Sequence, residues 1–153
     1  MLTCLPKSLC NWNFRVPDTS AGTAEVNFNV FTEQGDIRFA DQVFEVRKQG
    51  WTSGHWTLDS SHGTLVEAQK VSPFLRTFTI QADGRTFTLQ AQSAFSRSFD
   101  LMESDIVRGS IRPIHLFTRR AVIECSDDVP ELVQLFCFWL IALMWRRAQK
   151  NNS

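Results

Sequence analysis

The chain has 153 residues, of which 43% are apolar and 21% charged, a composition typical of an ordinary globular protein with one sizeable core. Its 16 Lys and Arg balance its 16 Asp and Glu, so no overall field attracts nucleic acid or an anionic membrane, although a local basic patch is compatible with this balance. No linker, low-complexity tract or charge block divides the sequence, and residues 1–153 are therefore predicted to form a single domain.

The first ten residues do not have the pattern of a secretory signal peptide. Pro6 and Lys7 interrupt the apolar run, and no small-residue cleavage site follows. A cytoplasmic location is therefore predicted, in which cysteines are kept as thiols. The spacing of the cysteines matches no zinc-site pattern, so neither a metal nor a cofactor is predicted. These cysteines are Cys4, Cys10, Cys125 and Cys137.

Short segments that alternate apolar and polar residues fill residues 11–125, and this period of two predicts half-buried strands. The clearest hairpin joins residues 75–80 to residues 85–89 through Asp83 and Gly84, because Gly accepts the positive φ of a tight turn. The other predicted strands are residues 12–16, 26–31, 43–48, 56–58, 64–66, 98–102, 106–111, 115–118 and 121–125.

A helix is predicted over about residues 128–147. Residues 135–145 are apolar without a break, and a helix that is apolar on all sides is enclosed by protein or lies in lipid. Asp128 and Glu131 have the spacing of a capping box, and Pro130 suits a first helical turn. Two arginines at 146 and 147 are predicted to close the helix, where cations favour the negative end of its dipole.

This order of elements predicts a mainly β fold: a closed antiparallel barrel of about 10–12 short strands around a buried C-terminal helix. A barrel of that size has a lumen wider than a few side chains can fill, and the apolar helix would fill it. A short membrane anchor is the less favoured interpretation, because the apolar run covers only about two-thirds of a roughly 30 Å hydrocarbon core. No transmembrane span is predicted.

Two basic pairs on predicted strands are the candidate ligand-binding residues: Arg47 with Lys48, and Arg119 with Arg120. Guanidinium and ammonium groups suit a phosphate. Neighbouring residues of a strand point to opposite faces, so one side chain of each pair would serve a given site. In the alternative interpretation, both pairs belong to a solvated barrel exterior and pair with nearby acids. These acids are Glu45, Asp105 and Glu124.

No catalytic residue is predicted. The histidines at 55, 62 and 115 are scattered and lack the spacing of a metalloprotease motif. The sequence has no G-x-S-x-G turn and no Gly-rich phosphate loop. The clustered carboxylates between residues 124 and 131 are accounted for by helix-start chemistry. A non-enzymatic protein is therefore expected.

Residues 120–145, from the last predicted strand into the apolar helix, resemble the same region of the Tubby C-terminal-like superfamily. That group includes the Tubby proteins, the phospholipid scramblases and the LURP-one-related proteins. Residues 43–48 and 109–111 resemble its recurring strand motifs. The resemblance covers residues 11–147 in layout, and it implies a barrel threaded by a hydrophobic C-terminal helix.

The resemblance also implies a function: a binding module for anionic phospholipid or a phosphoinositide-like ligand, in a cytoplasmic protein peripheral to a membrane. The chain lacks the proline-rich arm and cysteine cluster of the scramblases, so neither scramblase activity nor Ca²⁺ binding is implied. The alternative is a structural or protein–protein interaction domain with no small-molecule ligand, which would need an exposed apolar patch.

Overall fold

The computed structural model describes residues 1–152. Within them the chain forms twelve strands and one helix, and the strands close into an antiparallel barrel in chain order, with the first paired to the last. The elements are β1 (Leu2–Pro6), β2 (Phe14–Thr19), β3 (Gly22–Phe28), β4 (Gly35–Phe39), β5 (Gln42–Lys48), β6 (His55–Ser60), β7 (Gly63–Lys70), β8 (Thr77–Ala82), β9 (Arg85–Ala91), β10 (Phe99–Glu103), β11 (Ile106–Pro113), β12 (Ala121–Cys125) and α1 (Glu131–Asn151).

The predicted barrel around a helix is confirmed. Alternation places apolar side chains inward along each strand, as in β5, where Phe44 and Val46 are buried while Glu45 and Arg47 face solvent. The hairpin of β8 and β9 is also confirmed. Asp83 and Gly84 form its two-residue turn with φ of 50° and 75°, the left-handed pair that matches the twist of the strands.

Helix α1 fills the lumen. Its residues from Val133 to Trp145 are all buried, which explains why no polar face is present. Trp139 stacks on Phe28 with ring centroids 4.6 Å apart, and its Nε1 donates a hydrogen bond to the Asn27 carbonyl oxygen at 3.0 Å. Gly35 permits this approach, because a Cβ there would lie 2.9 Å from that nitrogen and 2.0 Å from the Asn27 oxygen.

Several predicted boundaries were wrong, and β4 (Gly35–Phe39) was not predicted at all. Strand β1 lies before residue 11, and its Leu2 and Cys4 point into the core while the strand joins β2 to β12 and closes the barrel. Residues 115–118, predicted as a strand, form a bend and turn without strand pairing, because no neighbouring strand reaches that far beyond the barrel wall. The helix spans residues 131–151 rather than about 128–147.

The predicted capping box was also wrong. Pro130 is the residue before the first helical turn, and no side chain caps it. Glu131 instead accepts hydrogen bonds from the Ser20 backbone N–H, at 3.0 and 3.1 Å, and from the Ser20 hydroxyl. Asp128 accepts one from Arg85 at 3.1 Å. These acids therefore fasten the start of the helix to the rim of the barrel.

The two arginines predicted to close the helix lie before its last turn, which carries Lys150 instead. Arg146 donates to the carbonyl oxygens of Asn29 at 3.0 Å and Thr32 at 2.8 Å, in the connection between β3 and β4. The end of the helix is thus tied to the opposite rim of the barrel from its start.

Candidate functional site

The two ends of the barrel are built differently. At the end where α1 begins, which we call the turn end, two-residue turns join the strands at residues 20–21, 40–41, 61–62, 83–84 and 104–105, and residues 126–130 lead into the helix. At the opposite end, which we call the loop end, residues 146–152 emerge from the lumen. There the connections are six or seven residues long: 7–13, 29–34, 49–54, 71–76, 92–98 and 114–120.

Charge is divided between these ends. The connecting loops of the loop end, together with residues 146–152, contain eight Lys and Arg and one Glu, a formal charge of +7. The connections of the turn end contain five Asp and no Lys or Arg, a formal charge of −5. The net charge of zero over the whole chain therefore conceals a strongly polarised molecule.

Each connection of the loop end carries a fully exposed apolar side chain at its third or fourth position. We call these the tip residues, and in the described chain they are Leu9, Phe31, Trp51, Phe74, Phe95 and Phe117. All of them are at least 90% exposed, and successive tips are 20–23 residues apart. Because they are so exposed, the tip residues contribute little to the stability of the isolated fold. Single exposed apolar residues are common on protein surfaces, but six of them at one end of the molecule indicate an interaction surface.

Arginines hold three of these loops in place. Each guanidinium lies over an aromatic ring, with centroid distances of 4.5–5.5 Å. Each also donates two hydrogen bonds to carbonyl oxygens of the next loop: Arg76 to Ser93 and Ala94, Arg97 to Leu116 and Thr118, and Arg119 to Ser8 and Asn11. We call each of these arginines, with its ring contact and its two hydrogen bonds, a clamp. The clamps support the loops that present the tips.

Glu33 holds together another part of the loop end. Its carboxylate accepts hydrogen bonds from Lys48 Nζ at 2.7 Å and from Arg147 at 2.5 and 2.6 Å. Both cations lie over the ring of Trp56, whose Nε1 donates to the Glu33 carbonyl oxygen at 3.0 Å. The hydrogen bonds from Arg147, joined by those from Lys48, lower the pKa of Glu33 to about 2. This residue links the end of the helix to β5.

The first predicted basic pair is divided between two environments. Arg47 lies on the outer wall of β5, where it forms ion pairs with Glu45 and with Asp59. Lys48 ends the strand and belongs to the Glu33 cluster at the loop end. The pairing with Glu45 agrees with the alternative interpretation of a solvated exterior for Arg47.

The second predicted pair lies in the loop before β12 rather than on a strand. Arg119 is half-buried in its clamp and lies 5.0 Å from the centroid of the Trp12 ring. Arg120 is exposed, and within residues 1–152 its side chain forms no hydrogen bond or ion pair. The first pair precedes the loop of residues 49–54, and the second lies in the loop of residues 114–120. Among the six loops of the loop end these two are on opposite sides of the ring, so the pairs do not converge on one site.

Sequence reasoning missed the tip residues. Phe or Trp recurs at 31, 51, 74, 95 and 117, in five connections between strands, and that recurrence could have identified them. Taken singly, each aromatic residue was indistinguishable from a core residue of a strand, because periodicity does not show where a strand ends.

Within residues 1–152, no group of three or more His, Cys, Asp or Glu side chains could hold a metal ion. Burial raises the pKa of the Cys125 thiol to about 11 and raises those of Cys4 and Cys137 further, so these thiols are poor nucleophiles. No helix in the described chain is both long and apolar enough to span a bilayer.

Comparison with known proteins found no match to any family model, to any curated protein or to any solved structure. The resemblance to the Tubby C-terminal-like superfamily therefore stays a prediction.

Proposed function

We propose that the protein is a non-enzymatic module that attaches peripherally to an anionic membrane surface, on the cytoplasmic side, through the loop end of its barrel. The observation that carries this proposal is the coincidence of the tip residues with the +7 end of the molecule. Apolar side chains that protrude among basic ones match the chemistry of a bilayer surface, where hydrocarbon lies beneath anionic head groups.

The magnitudes favour several tips acting together. Burying one Phe or Leu side chain contributes about 1.5–3 kcal/mol when it is complete. A cation close to an anionic surface adds about 1 kcal/mol, screened by salt. A single tip would bind weakly, whereas tips on separate loops of one rigid barrel enter the interface together without separate translational cost.

A protein partner is the competing occupant of the same end. The tips are carried on separate loops, each as a protruding side chain, and the described residues of these loops and of 146–152 hold one carboxylate among eight cations. A surface that enters an anionic interface at several points needs protruding apolar side chains among cations, with few carboxylates to be repelled. Lipid is therefore the favoured occupant.

Vesicle co-sedimentation tests the proposal. The protein is mixed with phosphatidylcholine vesicles and with vesicles that also contain phosphatidylserine, at low and physiological salt. We expect binding to the anionic vesicles that weakens as salt rises. The triple variant Phe31→Ser/Trp51→Ser/Phe74→Ser should lower the apparent affinity at least tenfold, because it removes half of the tip residues and none of these three lines the cleft beside the end of α1.

The matched control removes three exposed apolar residues near the turn end: Val43→Ser/Leu65→Ser/Val107→Ser. These side chains are 43–57% exposed and lie near the starts of β5, β7 and β11. Vesicle binding should be unchanged in this control. Equal loss in both triple variants, or no vesicle binding by the unmodified protein, would contradict the proposal, and the second result would direct the search to a protein partner.

A further inference from the structure

A cleft of about 610 Å³ opens at the loop end, between the end of α1 and the loops of residues 92–98 and 114–120. Its walls include the guanidinium-bearing side chains of Arg76, Arg97 and Arg119. Apolar side chains, among them Phe95, Met144 and Trp145, line most of the rest, together with the polar residues Thr118, Gln149 and Asn152. The volume is that of a site for a small organic molecule.

The charge in this cleft is uncompensated. In the described part of the chain, none of the three arginines lies within ion-pair distance of a carboxylate, and their clamps end on neutral carbonyl oxygens. Burial lowers the pKa of Arg76 and of Arg97, with no acid to offset it. By contrast, the nearby cations Lys48 and Arg147 share the carboxylate of Glu33.

The clamps also leave donors available. A guanidinium carries five N–H groups, and the hydrogen bonds described above use two on each arginine. The remaining N–H groups suit the oxygens of a phosphate, which arginine binds in a planar, bidentate geometry. Preorganised donors of this kind lose little rotamer freedom on binding, because stacking and clamping already hold the side chains.

We propose that this cleft binds one anionic phospholipid molecule, with its phosphate against Arg76, Arg97 and Arg119 and its glycerol and first chain carbons against the apolar side chains. The inference rests on the proposed attachment of the loop end to membranes, and it adds a defined lipid site to a surface otherwise bound through general charge and insertion. The apolar lining distinguishes a lipid phosphate from free phosphate.

Short-chain lipids below their micelle concentration test the cleft without any membrane. Calorimetric titration compares dihexanoylphosphatidic acid, dihexanoylphosphatidylcholine and inorganic phosphate. We expect the phosphatidic acid to bind at least tenfold more tightly than either of the others, because it alone combines a net negative phosphate with apolar chains. Equal affinity for phosphatidic acid and inorganic phosphate would overturn the lipid assignment.

Arg119→Gln should lower the affinity for dihexanoylphosphatidic acid at least tenfold. Arg120→Gln is its matched control, since it removes the same charge from the adjacent exposed position without touching the cleft or the clamps. Thermal unfolding checks that both variants fold. If loss of the clamp prevents folding of Arg119→Gln, then Arg76→Gln makes the same test from another loop. Unchanged affinity in a folded cleft variant would overturn the site.

The two proposals fail separately. Absence of phosphatidic acid binding while the intact protein still sediments with anionic vesicles would overturn the cleft and leave surface attachment standing. Binding of the short-chain lipid that is unaffected by the triple tip variant would support the cleft, even if vesicle attachment were lost.

Discussion

At the scale of single residues, Glu33 is one of the residues that hold the loop end together. It is the carboxylate of the cluster that ties α1 to β5, and its side chain is 25% exposed. Its folded pKa of about 2 lies below the ordinary value of 4.5. A lowered pKa means that the interaction stabilises the fold fully above pH 4.5 and is lost as pH falls toward 2.

Glu33→Gln should therefore lower the free energy of unfolding at pH 7 by about 2 kcal/mol, a figure that allows for partial screening by solvent. The difference from the unmodified protein should shrink as pH falls below about 4.5 and should vanish near pH 2. Urea unfolding at several pH values measures it. Glu45→Gln, which removes an exposed pair with Arg47, should leave the free energy of unfolding almost unchanged. Equal losses in both variants would contradict a special role for Glu33.

At the scale of elements, α1 is unusual because the barrel surrounds it on every side. Its thirteen consecutive buried residues explain the absence of an amphipathic pattern. Phe138 packs edge-on against Phe14 of β2, with centroids 4.8 Å apart, and Trp145 donates to the Arg97 carbonyl oxygen at 3.1 Å. The helix therefore organises both the core and the cleft above it.

Leu140→Asp should prevent folding, because Leu140 is 0% exposed and an unpaired buried charge costs several kcal/mol. Leu140→Met should cost less than about 1.5 kcal/mol, since it conserves volume and polarity. Circular dichroism and thermal unfolding of the two variants decide the outcome. A Leu140→Asp variant that melts near the temperature of the unmodified protein would contradict enclosure of the helix.

At the scale of the whole molecule, the opposed charges of the two ends give the barrel a direction. In the proposed attachment, an anionic surface attracts the loop end and repels the turn end, so we expect the molecule to approach with the barrel axis perpendicular to the membrane and the tips first. Attraction of this kind acts over about one Debye length, roughly 8 Å at physiological salt. Orientation is therefore expected to precede insertion of the tips.

A fluorescent probe reports this orientation. Cys10 is exposed at the loop end, while Cys4 and Cys137 are buried. An environment-sensitive dye on Cys10 should shift to the blue on anionic vesicles, as the tip of its loop leaves water. In the variant Cys10→Ser/Ser61→Cys, the dye is attached at position 61 of the turn end, and its emission should not shift. Equal shifts at both positions would contradict an end-on orientation.

The candidate site was only partly predictable. The basic residues Lys48, Arg119 and Arg120 were identified as candidates, and the structure places them at the loop end, but Arg47 lies on the outer wall. Arg47 and Lys48 lie in different environments because successive residues of a strand point to opposite faces. The cleft could not be predicted, because it brings together loops separated by tens of residues in the chain.

The sequence by itself determined the architecture. Alternating apolar residues specify strands with one buried face, Asp83 and Gly84 specify a tight hairpin, and an apolar run without a polar face requires enclosure of α1. These are local signals, and each depends on residues close together in the chain.

Only the tertiary structure decided which residues gather at each end. In an antiparallel barrel every second connection returns to the same end, so short turns collect on one side and long loops on the other. Their exposed tips and cations then form one surface, although the chain as a whole has a net charge of zero. The closure of the barrel by β1 was also decided only by the tertiary structure, since its partner β12 is more than 100 residues away in the chain.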